Sequence, residues 1–326
     1  MTKRTRYFMA GSAAVMAAGL CTGLVAYYGG GFQALSASTG PTELQYVPAD
    51  ASVIAFADVR SIMDSEFRQR LKQNLPMDQH DKIEFQDKTG IDIEQDIDYV
   101  VAAMTAVDNG QPSGLVVARG RFDVVKLEAL AREHGGVLEE YSGKRIISAT
   151  HGDQPHHTGT MAFLEPGLVA IGTSAAVRKA IDAQLSARSI TANSEMMDLV
   201  SDIERTNNAW AVGRFDAITQ QAKLPDQVAS RIPALKYFAA AGHINGGVSG
   251  MVRAEALDEK SAEDLRQVVN GLLALARLQA QNDPKIEAIS QSLQLSGTGK
   301  TVAVSFTVPA ELLQFMAPKQ PAPALQ

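Results

Sequence analysis

Gly114-Leu-Val-Val-Ala-Arg-Gly-Arg-Phe-Asp123 is the stretch that decides how this chain is built. It reads as an apolar strand that runs into an acid. Val124 to His134 follows, with Val124, Leu127, Leu130 and Ala131 at the spacing of one helical face. Asp123 then reads as the helix N-cap, accepting backbone N–H bonds, and Gly135-Gly136 as the stop. Ala209-Trp-Ala-Val-Gly-Arg-Phe-Asp216 repeats the tetrapeptide Gly-Arg-Phe-Asp letter for letter. Looser copies of the strand-to-helix unit run through Val53 to Asp58, Leu168 to Thr173, Val252 to Asp258 and Val302 to Pro309.

Working outward, Tyr99 to Val107 and Gly114 to Phe122 form a hairpin across Asn109-Gly110, a strong turn signal. Val137 to Tyr141, Arg145 to Thr150, Thr160 to Leu164 and Leu168 to Gly172 continue as a meander, antiparallel because its turns are too short for a crossover. Lys236 to Ile244 and Val248 to Ala256 flank Asn245-Gly246-Gly247, a second hairpin. Helices are expected at Ser61 to Leu75, with Ser61 and Asp64 as a capping box, at Thr173 to Leu185 and at Ser194 to Glu204. Ser261 and Asp264 cap the longest helix, to about Gln281, with Leu265, Val268, Val269, Leu272 and Ala276 facing inward. A last helix opens at Pro309 and runs to Met316. The expected fold is α+β, with mostly antiparallel sheets and helices packed on one face, in two tandem related halves. These halves are residues 43–222 and 234–317, divided by the proline-bearing stretch Lys223 to Pro233, with a disordered Pro/Ala tail at 318–326.

An N-terminal transmembrane or signal helix precedes this body. Lys3, Arg4 and Arg6 stand before Tyr7 to Tyr28, a run without one charge that is long enough to cross a bilayer. Basic residues on one side only place the body outside the cytoplasm. Either the segment is a signal cleaved near Ala34 to Ala37, or it is retained as an anchor with Tyr27-Tyr28 at the far interface, and its length favours the anchor. Residues 1–36 are thus the anchor and the start of a tether, and residues 7–28 contact the membrane. The location expected is a single-pass membrane protein with a periplasmic body, secreted if the signal is cleaved. Of the 30 basic and 36 acidic residues, 3 basic and no acidic ones precede residue 37, leaving the body at 27 against 36, or −9. Such a balance argues against nucleic acid. The single cysteine, Cys21, lies in the apolar run, so disulfides do not hold the body together.

Residue types that carry chemistry are sparse. His151, Asp153, His156 and His157 are the one local set of metal-ligating types, in a loop between two strands, and no His-Glu-x-x-His helix accompanies them. A solvated loop tip is the plainer reading, so neither a metal nor a cofactor is expected. Arg121 and Arg214, the arginines of the repeated tetrapeptide, are candidates for an anion contact, since a guanidinium suits carboxylate or phosphate. Asp123 and Asp216 are better explained as caps than as acids or bases. No Gly-x-Ser-x-Gly elbow or Walker loop is present, and the body has no thiol to act as a nucleophile.

Tyr46-Val-Pro-Ala-Asp50, the Gly90-Ile-Asp92 that leads into the Tyr99 strand, the stretch ending at Asp123, Gly167-Leu-Val-Ala-Ile-Gly172 and the second-half hairpin together resemble an uncharacterised family of bacterial envelope proteins. The resemblance covers nearly the whole body. It implies a signal or anchor and a two-part α+β body, and it implies no activity. The expected role is non-enzymatic binding or scaffolding in the envelope, with another envelope protein or an apolar ligand as partner. A carrier of lipid or another apolar ligand is the alternative, its groove lined by Met63, Met104, Met161, Met196, Met197 and Met251. A hydrolase or metalloenzyme is a distant third.

Overall fold

The computed structural model describes residues 40–69, 86–108, 111–150, 158–217, 233–280, 287 and 290–309. The anchor segment, the His151 to His157 loop, the Lys223 to Pro233 boundary, the last helix and the tail lie largely or wholly outside them. In chain order the elements are β1 (Val53–Asp58), α1 (Val59–Met63), α2 (Ile93–Asp96), β2 (Ile97–Asp108), β3 (Gln111–Gly120), α3 (Val124–Glu133), β4 (Val137–Tyr141), β5 (Lys144–Thr150), β6 (Thr158–Glu165) and β7 (Leu168–Gly172). They continue with α4 (Ser174–Ser186), α5 (Ser194–Ile203), β8 (Ala209–Arg214), β9 (Leu235–Ile244), β10 (Gly247–Ala256), α6 (Glu259–Ala280), β11 (Gln294–Ser296) and β12 (Thr301–Pro309).

The strand-to-helix unit is real and works through its acid or threonine. Asp58, Asp123 and Asp258 each accept from the backbone N–H three residues on, at 2.9, 3.0 and 2.7 Å, and Thr173 does the same for Ala176 at 3.2 Å. Each helix therefore starts with at most three residues between it and the end of its strand, because a residue at that exit satisfies one of the helix's orphan donors. The capping boxes expected at Ser61/Asp64 and Ser261/Asp264 are replaced by these earlier acids. The expected helix from Ser61 to Leu75 is also interrupted: α1 ends at Met63, and the Ser65 hydroxyl accepts from Arg68 N at 3.1 Å to open a new turn at 66–69.

All the strands among the described residues belong to one twelve-stranded sheet in the order β11-β12-β10-β9-β8-β1-β2-β3-β7-β6-β5-β4, antiparallel at every pairing. This corrects the expectation of one sheet per half. β8 pairs with β1 from Ala209 to Gly213 and with β9 from Ala209 to Arg214, so neither edge of β8 is left open.

Helices cover both faces, not one. Ile54, Val101, Val117, Leu168, Trp210 and Ala239 point to the face roofed by α4, α5 and the 3-10 turn Thr42–Tyr46, where they form the main core. The alternate residues Ala57, Val100 and Phe163 point the other way, against α1, α2 and α3. Ala55, Ala211, Ala240, Val252 and Val304 are directly opposite one another, so α6, packed on Val302 and Leu295, shares that second face. Within α6 the rotation differs from expectation: Ala262 and Leu273 are buried, while Val268 and Leu272 are exposed. Two apolar stripes lie side by side on this helix. Arg266 chooses between them by donating to the carbonyls of Gly299 and Thr301 at 2.7 and 3.0 Å.

Candidate functional site

Of the two arginines that the sequence offers for anion contact, Arg214 lines a cleft. β8 ends here, β9 begins, and the residues before β1 and the first turn of α5 close the sides, leaving a cavity of about 470 Å³. Its walls include Asp50, Asn193, Glu195, Met196, Arg214, Asp216, Lys236, Tyr237 and Leu257. Asn193 is held as the cap of α5, accepting from Met196 N at 3.2 Å, which aims Glu195 outward from the first helical turn.

The cleft's charges are paired among themselves. Arg214 grips Asp216 through both oxygens, Nε to Oδ1 at 3.1 Å and Nη2 to Oδ2 at 2.5 Å. Lys236 Nζ lies 3.1 Å from Glu195 Oε1, and the Tyr237 hydroxyl donates to the other oxygen of that carboxylate. The Lys236 ammonium also sits 4.8 Å from the centre of the Tyr237 ring. Asp50 is met from outside by Lys179 at 3.4 Å.

These contacts move each group away from neutrality. The Tyr237 hydroxyl and then Lys236 hold Glu195 below the usual carboxylate range. Burial, reinforced by Glu195, pushes the Tyr237 hydroxyl up, and Glu195 raises Lys236. Arg214 holds Asp216 down. The arrangement can present hydrogen-bonding groups and compensated charge to a polar ligand, with Met196 and Leu257 as apolar walls.

Arg121 is elsewhere. Gly120 pairs with Ile97 near the Asp58 end of β1, whereas Gly213 pairs with Val53 at its start, so the two tetrapeptides lie at opposite ends of the strands. Arg121 binds Asp96 Oδ1 through Nε at 3.1 Å and the carbonyl of Gln95. A joint anion site is therefore not formed, because the matching sequences follow strands that run in opposite directions in the sheet. Asp123 is a cap, as above. Asp216 lies inside the first helical residues and accepts from Ala217 N at 3.0 Å; the N–H groups that it would cap lie outside the described residues. His151, Asp153, His156 and His157 also lie outside them, and among the described residues there is no group of three or more metal-ligating side chains. Met63 and Met196 are buried in clusters on opposite faces of the sheet, with Met161 beside the first and Met197 and Met251 beside the second, so these methionines do not line one groove.

A second polar cluster escaped the sequence analysis. Arg119 binds buried Glu43 and lies 3.8 Å from Glu165, whose Oε1 accepts from the Tyr46 hydroxyl at 2.5 Å. Burial, helped by Glu165, pushes the Tyr46 hydroxyl up, and the bond to Glu43 raises Arg119 against the opposing effect of burial. The cluster clasps the 3-10 turn onto β3 and the β6–β7 turn. Its signal was legible: Arg119 follows Leu115 and Val117 on the core side of β3, where an apolar residue belongs.

No family model and no curated protein matches this chain. Among solved structures it is similar to crystal form I of TP0453, with 13% identity and a TM-score of 0.44, covering 86% of this chain and 97% of that one. That likeness is too slight to carry fold or function across.

Proposed function

We propose that this chain is a membrane-anchored extracytoplasmic protein with a non-enzymatic binding or scaffolding role in the bacterial envelope. The observation that carries the reading is the cleft's pairing pattern. Arg214 holds Asp216 through both oxygens, and Lys236 and Tyr237 share the two oxygens of Glu195, so the charged groups of the cleft are engaged with one another. Charges compensated in this way hold shape and give a partner fixed hydrogen-bond geometry. The anchored location rests on the basic residues before the charge-free run at 7–28.

The body is two related halves, 43–222 and 234–317, joined where β8 pairs with β9. Support comes from the strand order, in which β8-β1-β2-β3-β7-β6-β5-β4 belong to the first half and β9-β10-β12-β11 to the second, and in each half the later strand of a hairpin, β7 or β12, pairs with an earlier strand, β3 or β10.

A reporter active only outside the cytoplasm, fused after residue 326, should be active; an inactive fusion at normal expression would overturn the location. Native mass spectrometry of the protein released from membranes tests the role. The scaffolding reading expects the bare mass, and a stoichiometric lipid adduct would transfer the assignment to a carrier.

A further inference from the structure

Among the described residues, the exposed apolar stripe on α6 is a large feature that neither the core nor the cleft uses. Val268, Leu272, Leu275 and Leu278 are 49, 62, 55 and 64% exposed and recur at helical spacing along one side. Five of the helix's charges, Glu259, Lys260, Glu263, Asp264 and Arg266, fall in its first eight residues. From Gln267 to Ala280 the one charge is Arg277, nine residues and so two and a half turns from Val268, on the far side. The helix is not a membrane span, as no helix among the described residues is long and apolar enough to cross one. Its other apolar side, with Ala262 and Leu273, is already committed to the body.

The chain outside the described residues says what lies near this stripe. If residues 7–28 cross the bilayer, residues 29–39 can span at most roughly 36–40 Å before Gly40. Gly40 sits beside Met197 and Glu204, at the end of the sheet where Asn208 bonds Gly242 and where Gly247 pairs with Pro309. α6 begins at the opposite end of β10, and the residues beyond Arg266 lead away from that start. With 22 residues the helix is about 33 Å long, comparable with the span of the leash. The turn after Gly40 lies on the face roofed by α4 and α5, so the leash passes round this end of the sheet to the face that carries α6.

We propose that this stripe rests on the membrane that residues 7–28 anchor, with Leu272, Leu275 and Leu278 at the boundary between headgroups and acyl chains. The proposal depends on the anchored reading above. The body then has a fixed orientation, held by one spanning segment and one helix lying flat.

The test uses the full chain carrying Cys21→Ser with either Leu275→Cys or Ala274→Cys, labelled with a polarity-sensitive fluorophore and reconstituted in phosphatidylcholine vesicles. Both positions are exposed, so neither change disturbs the core. The label at 275 should shift to the blue and be quenched by lipids with brominated acyl chains, while the label at 274 should answer to aqueous iodide. Flotation of the protein with the vesicles reads the anchor separately. A chain that floats but shows equal iodide quenching at 274 and 275 overturns the stripe proposal and leaves the anchor standing. A chain that does not float overturns both. Protection of 275 from both quenchers assigns the stripe to a second copy and likewise overturns the proposal.

Discussion

The first Gly-Arg-Phe-Asp leaves β3 and the second leaves β8, and the two begin in the same way before they part. In each, the arginine N–H donates to the carbonyl of the residue just before a neighbouring strand, Arg121 to Asp96 at 2.7 Å and Arg214 to Ser52 at 2.8 Å. In each, glycine permits that approach: a Cβ on Gly120 would lie 2.0 Å from the Asp96 oxygen, and one on Gly213 would lie 2.8 Å from the Ser52 oxygen. Beyond that point the copies diverge. Arg121 reaches across to a carboxylate on the next element, and Asp123 is left to cap α3. Arg214 turns back on its own Asp216 and faces the cleft. The tetrapeptide is thus a device for leaving a strand, and its neighbours decide what the charges do.

Removing the support of one copy should have the largest effect. Trp210, four residues before Arg214, is buried and stacks on Phe56 of β1 at 5.5 Å between ring centres. Trp210→Ala should lower stability by roughly 3–5 kcal/mol in denaturant melts, and a loss near zero would show that the β1–β8 pairing does not bear the fold. Next comes the glycine. Gly120→Ala should cost about 1–3 kcal/mol, since backbone has to move. Gly213→Ala should cost less, because its Cβ would meet the Ser52 oxygen at 2.8 Å rather than 2.0 Å and its other close neighbours, the Phe238 ring and a Val53 methyl, are side chains that can yield. The reverse order would break the account of the shared exit.

The acids sharpen the comparison further. Asp123→Ala should lose about 0.5–2 kcal/mol while Asp123→Asn is nearly neutral, as asparagine caps equally well. Equal loss in both would defeat the capping account. The smallest effect belongs to Arg214→Gln, an exposed pair worth at most about 1 kcal/mol. Its signature is in pH. The folded pKa of Asp216 lies below the 3.8 of the free side chain, so its stabilisation is present above 3.8 and is lost as pH falls through the lowered folded value. In the Arg214→Gln protein that acid-side loss should shrink and the Asp216 titration, followed by carboxyl NMR, should move up. An unmoved titration would mean that Arg214 does not hold it.

Periodicity made the elements legible. The strand ending before Asp123 and the helix after it, the meander and both hairpins can be read from alternation, turn dipeptides and apolar spacing. Two-faced burial was legible as well but easy to miss: Val53-Ile-Ala-Phe-Ala57 is a continuous apolar run, the mark of a strand covered on both sides. What sequence does not carry is pairing at a distance. Ala209 meets Gly242 and Ala211 meets Ala240 across the β8–β9 boundary, and small residues say little about their partners. The cleft is opaque for the same reason, because Glu195 meets Lys236 and Tyr237 from about forty positions away. Arg214 could be singled out by its repeat, but its setting could not.

The place of β1 in the sheet has a consequence in time. It is made well before β8 and stands next to the centre of the finished sheet, with β2 on one side and β8 on the other. The β2 side closes early through local contacts, while the other edge stays open until Arg214 has been synthesised. At ordinary rates of about 5–20 residues per second, the 156 residues from Asp58 to Arg214 take roughly 8–30 s. During that interval Val53 to Ala57 offers an apolar strand with unmet hydrogen bonds on one edge, a segment for a chaperone to shield.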